Sequence, residues 1–93
     1  MVKAKNFAAD AQVTAKPTKV YGVILSGEGI TAGDKVLLSD SASGAGTAII
    51  TLVAAVANGS VAFTPSVGID FFAGVYADVT KTGGTMTVTV LYD

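Results

Sequence analysis

Cysteine, histidine, tryptophan and arginine are all missing from this 93-residue sequence. Without cysteine there is no disulfide framework, and without cysteine or histidine the usual zinc ligands are gone. The same absences remove the common pairings of a nucleophile with its base. Lack of arginine removes the planar fork that grips carboxylate and phosphate. Catalysis would fall to six Asp, Glu28 and the Lys, Ser, Thr and Tyr side chains, so a non-enzymatic protein without cofactor or metal is expected. Charged residues make up only 14% of the chain, yet 51% hydrophobic content excludes a disordered solvating tail as the main state. The strongest uncharged apolar run, residues 48–57, is too short to span a bilayer as a helix. The opening Lys3 and Lys5 are followed by Phe7-Ala8-Ala9-Asp10 where an export signal would need an unbroken apolar core. Neither membrane insertion nor secretion is expected.

What is present is β-branched. Val, Ile and Thr supply 29 of the 93 residues, and such side chains fit a pleated surface better than a helix. Candidate strands are 20–26, 35–39, 47–57, 60–64, 74–80 and 85–92, each bounded by Gly, Asn, Asp or Pro. The last alternates cleanly, with Met86, Val88, Val90 and Tyr92 on one face and Thr85, Thr87 and Thr89 on the other. Residues 47–57 are apolar on both faces, which suggests a central strand or one covered by a partner. Asn58-Gly59 and Lys81-Thr82-Gly83-Gly84 read as hairpin turns, and residues 39–46 as a flexible loop. The only helical suggestion is a short turn at 6–12. The fold expected is all-β: one small antiparallel β-sandwich or barrel of about six to eight strands with an extended N-terminal arm. Ile24, Leu38, Ile50, Leu52, Phe63, Val75, Val79, Val88 and Val90 are its expected core.

A chain of 9.2 kDa buries roughly 60% of its extended surface on folding, a thin margin for a solitary monomer. Charge divides unevenly along it. Lys3, Lys5, Lys16 and Lys19 against Asp10 give residues 1–19 a net +3, and the remainder carries −4. With Pro17 at the joint, residues 1–17 read as a basic extended arm and 18–93 as a single β domain. Phe7 and Val13 are the arm's bulky anchors, so Lys3, Lys5, Phe7 and Val13 are its candidate partner contacts. Phe71-Phe72 with Tyr76 nearby is the densest aromatic cluster. Adjacent residues on an extended strand point to opposite faces, although a bulge could turn both rings inward. Phe72 and Tyr76 join the candidate contact set because exposed aromatics mark interface centres.

Other motifs have plainer explanations. Gly27-Glu28-Gly29-Ile30-Thr31-Ala32 matches a relaxed dinucleotide-binding pattern, but another strand follows where a helix must begin, so it reads as a turn. Asn58-Gly59-Ser60 is formally a glycosylation acceptor and is better explained by its turn. Asp34 and Asp40 flank a strand without calcium-loop spacing and read as solvated loop carboxylates. No basic groove with stacking aromatics is visible, so nucleic acid is not an expected partner.

The order of segments carries a resemblance. Val20-Tyr21-Gly22-Val23-Ile24-Leu25-Ser26, then Asp34-Lys35-Val36-Leu37-Leu38-Ser39-Asp40, the glycine-rich loop and Ala48-Ile49-Ile50-Thr51-Leu52 resemble the small all-β virion proteins of tailed bacteriophages. Residues 68–79 and Met86-Thr87-Val88-Thr89-Val90-Leu91-Tyr92 continue it to the C-terminus. The resemblance is closest to capsid decoration, or cement, proteins, which bind the outside of the head and reinforce capsomer junctions. It implies a structural protein made in the host cytoplasm and placed on the capsid exterior, with the major capsid protein as partner and self-association, a trimer favoured. A tail or fibre-associated β-sandwich, or a module binding carbohydrate or a host surface, is the alternative. For the latter, Tyr21, Tyr76 or Phe72 would form the platform.

Overall fold

The computed structural model describes residues 2–44 and 46–93. The strand with the cleanest alternation organises one of its two sheets. In β9 (Thr85–Tyr92) the side chains of Met86, Val88 and Val90 are fully buried. β9 lies between β1 (Lys3–Phe7) and β3 (Thr18–Glu28), antiparallel to both. β3 is the longest strand and is paired on its far side by β6 (Gly59–Phe63) and, further along, by β7 (Ile69–Phe71). The second sheet has the order β2 (Ala11–Thr14), β8 (Val75–Thr80), β4 (Lys35–Asp40), β5 (Ala48–Val53), again antiparallel throughout. Nine strands in two sheets thus make up the described residues, with no helix among them.

The inner faces of the sheets share one core. Val20, Val23 and Leu25 of β3 and the three β9 side chains meet Val36 and Leu38 of β4, Ile50 and Leu52 of β5, and Val75 and Ala77 of β8. The Cα radius of gyration of 12.3 Å is that of a compact chain of this length, about 12 Å. Among the described residues, six of the eight connections cross from one sheet to the other, β4 to β5 being the only sequential pair joined as a hairpin. No ladder joins the two sheets among the described residues, which makes this a sandwich rather than a barrel.

Several expectations are corrected by this topology. The expected arm, 1–17, is not seen as one: within residues 2–17, β1 joins the first sheet beside β9, and β2 joins the second beside β8. Their composition is that of edge strands, where backbone pairing supplies the stability and few side chains need to be apolar. Val13 is buried in the core, Phe7 packs against it, and the Asp10 carboxylate accepts a 2.7 Å hydrogen bond from the Val79 N–H. Strand β5 ends at Val53 rather than 57 and is an edge strand, not a central one. Asn58-Gly59 and Lys81 to Gly84 join strands of different sheets, so neither is a hairpin turn. Gly59 alone of the first pair has positive φ, while the Asn58 Oδ1 accepts a hydrogen bond from the Gly29 N–H. Of the expected core, Phe63 is exposed and Ile24 and Val79 are half-buried; the other six are buried. The suggested turn at 6–12 is replaced by the end of β1, a bend and the start of β2.

Gly84, with φ of 64°, is required by close approach as well as by conformation. A Cβ there would fall on the Gly29 carbonyl, where the β8 to β9 crossing passes the turn after β3.

Candidate interaction surface

A two-sheet sandwich has two lateral flanks, and each leaves strand edges whose N–H and C=O groups can pair with another chain. Natural proteins blunt such edges with charge, proline, bulges or brevity. Each flank has a register shift in one of its strands, but only one flank is also blunted by charge.

The first flank consists of β1 and β2, which line a common cleft through Lys3, Val13 and Thr14. Lys3 and Lys5 stand exposed on β1, and β2 is four residues long, with a register shift between Gln12 and Thr14 and Pro17 shortly after it. Each is a device against edge pairing.

The second flank consists of β5 and β6, the outer strands of their sheets. No charged residue occurs between Asp40 and Asp70, an interval that contains both strands. Residues of β5 and β6 border two clefts in common: one of about 190 Å³ lined by Val53, Ala54, Val56 and Val61 among others, and one formed by Ile49, Ile50, Thr51 and Phe63. Ile49, Val53 and Val56 are each about half exposed, and Phe63 is 38% exposed. Single exposed apolar residues are ordinary, but a run of them along two uncharged edges is the kind of patch that marks an interaction site.

This flank is held firmly. The β5 to β6 crossing is tied to the turn after β3 by Gly33 N–H to Ala54 O at 2.8 Å, Ala54 N–H to Asp34 O at 2.8 Å and Ile30 N–H to Ala57 O at 3.1 Å. Ile30 is buried beneath that turn, so the glycine pattern from Gly27 to Ala32 serves as a structural anchor leading into β4. At the other end, Gln12 reaches across the loop after β4: its Nε2 lies within hydrogen-bond distance of the Thr14, Ser41 and Val75 carbonyls, and its Oε1 accepts from the Gly44 N–H.

Asp34 and Asp40, expected as solvated carboxylates, instead fasten loops. Asp34, buried, accepts 3.0 Å hydrogen bonds from the N–H groups of Thr82 and Thr31, joining the turns after β3 and β8. The Thr82 N–H first, and that of Thr31 next, hold its carboxyl below the ordinary value against the opposing effect of burial. Asp40 accepts from Phe72 at 3.0 Å, Ala73 at 2.7 Å and Gly74 at 3.4 Å. The Ala73 and then the Phe72 N–H lower its pKa in the same way.

The partner-contact residues expected from sequence are dispersed. Lys3 and Lys5 lie exposed on the edge of β1, Phe7 is half-buried, and Val13 is core. The adjacent aromatics divide cleanly: Phe71 is 1% exposed and Phe72 77% exposed. Phe72 projects from the bend that Asp40 caps, while Tyr76 is half-buried in β8 opposite Gln12 and Ser39. Sequence reading missed Ile49, Val53, Val56 and Phe63 as a shared surface, although the charge-free interval is visible in the sequence. Among the described residues, no group of three or more His, Cys, Asp or Glu is placed to hold a metal, and no helix is long and apolar enough to cross a membrane.

No protein-family model matches this chain, and a search of curated proteins finds no significant match.

Proposed function

We propose that this chain is a structural protein of a tailed-phage virion that decorates the outside of the head, binding the major capsid protein and reinforcing junctions between capsomers. The resemblance in segment order motivates the assignment to virions. The observation that supports an assembly role is the bare flank formed by β5 and β6, rigidly backed, uncharged and apolar. A surface of this kind associates by shape-matched burial and needs no charged group to be desolvated. Exposed Phe72, at the far end of β7, supplies a separate aromatic contact for a second neighbour.

The test is the protein composition of purified particles whose genome encodes this chain. Quantitative mass spectrometry should find it in the head fraction in numbers comparable to the major capsid protein, and released by mild treatment while heads remain closed. Absence from particles, or recovery only with detached tails, would overturn the proposal.

A further inference from the structure

Strand β5 is self-complementary. Its inner face carries Ile50 and Leu52, both buried, and its outer face Ile49, Thr51 and Val53, all exposed. In an antiparallel pair, residues directly opposite each other point to the same face. Two copies of β5 can therefore pair only in registers that set outward residues against outward ones. Centring the pair on Thr51 satisfies this and uses Ile50–Val53, which run in regular register with β4, together with Ile49, the extra residue of a one-residue register shift. Ile49 then faces Val53 of the other copy, Ile50 faces Leu52, and Thr51 faces itself. Every cross-strand pair on the outer face is β-branched with β-branched, a favourable class on a sheet, and no like charges are opposed.

β5 shares a register shift with β2 but is two residues longer, and no other edge combines that length with an uncharged, β-branched outer face. Centred pairing of β1 would set Lys5 against Lys5, and β2 is short and bulged. Centred pairing of β6 would set Phe63 opposite Gly59.

We infer that β5 pairs with β5 of a second copy across a twofold axis normal to the sheets, joining two four-stranded sheets into one of eight strands. Because β6 borders the same clefts as β5, the same axis brings the β6 edges and Phe63 toward the second copy in the other layer. A six-residue strand is about 20 Å long and the smallest extent of the molecule is 18 Å. The flank therefore offers roughly 360 Å² per copy, small beside the roughly 800 Å² per partner of a stable interface, so association is expected to be weak and concentration-dependent. The inference concerns the isolated protein and stands apart from the virion assignment. Its twofold symmetry also differs from the trimer that the resemblance implies.

The experiment is sedimentation equilibrium of the full chain from about 1 to 200 μM, a range that reaches weak association. The mass is expected to rise from 9.2 kDa to twice that value. T51K, a substitution at an exposed position that would oppose two ammonium groups on the axis, is expected to stay at the single-chain mass with an unchanged circular dichroism spectrum. Because the chain has no cysteine, T51C reports the register: opposite Cα atoms in an antiparallel pair are about 4.5 or 5.5 Å apart, within disulfide range. Mild oxidation should link T51C into dimers much faster than F72C, whose position is exposed but away from the flank. A wild-type chain that stays monomeric at the highest concentration, a species of three chains, pairing that survives T51K, or T51C linking no faster than F72C would each overturn the inference.

Discussion

Two neighbouring phenylalanines offer a sharp test of the sandwich. Phe71 lies at the end of the three-residue strand β7, opposite Thr18 of β3, with only 1% of its surface exposed; Phe72 follows it with 77% exposed. Truncating a fully buried phenylalanine to alanine costs about 3–5 kcal/mol, from lost transfer energy and the cavity left behind. A domain of this size is stable by about 5–14 kcal/mol, so F71A removes a large fraction of the total. At about 4–8 °C per kcal/mol, its melting temperature should fall by roughly 12–40 °C. F72A removes surface that water already reaches, and its stability should change by less than about 0.5 kcal/mol. Thermal and urea unfolding followed by far-ultraviolet circular dichroism would measure both. Equal losses for the two variants, or a loss below about 1 kcal/mol for F71A, would refute the assignment of one ring to the core and the other to solvent.

Asp40 and Asp34 have folded pKa values below the ordinary 3.8, so their stabilisation is fully present above that value and is lost as pH falls through the folded pKa. The melting temperature should therefore decline below about pH 4, and D40N should be less stable at neutral pH with a shallower acid decline; an unchanged acid slope would count against the Asp40 cap. G84A should be destabilised by at least about 1–2 kcal/mol from its left-handed backbone alone, and by more than G83A in parallel melts, because a Cβ at Gly83 meets nothing within 4 Å whereas one at Gly84 strikes the Gly29 carbonyl. Deleting residues 1–16 removes β1, β2 and buried Val13; cooperative thermal unfolding should be lost, and a transition within a few degrees of the full chain would show that the segment is dispensable.

The all-β class could be read from the density of Val, Ile and Thr, and the core face of β9 from the alternation of Met86, Val88 and Val90. Those signals are local, and each depends only on side-chain period. Which strands share a sheet is set instead by pairing between residues distant in the chain. Asn58-Gly59 therefore looks like a hairpin in sequence although β5 and β6 lie in different sheets. The N-terminal segment was illegible for a related reason. An edge strand needs one paired neighbour and few apolar residues, so Lys3-Ala4-Lys5 resembles a solvated arm until Val90 and Tyr92 are placed beside it. Its lysines belong to the blunted flank rather than to a docking tail. For the candidate surface, the apolar outer face of β5 was apparent as sequence, but its position at an open edge beside Phe63 depends on the crossover that follows it. The roles of Asp34 and Asp40 were equally hidden, because their N–H donors lie more than thirty residues away in all cases but Thr31.

Amide hydrogen exchange on the full chain, compared between dilute and concentrated solution, tests most directly whether the flank of β5 and β6 is the assembly surface. One side of β5 is already paired with β4, so only its alternate, outward-facing amides are free to gain protection. Concentration should slow exchange at those amides within Ala48–Val53 and leave Lys3–Phe7 on the opposite flank unchanged. Added protection at Lys3–Phe7, or association with none in Ala48–Val53, would contradict the assignment.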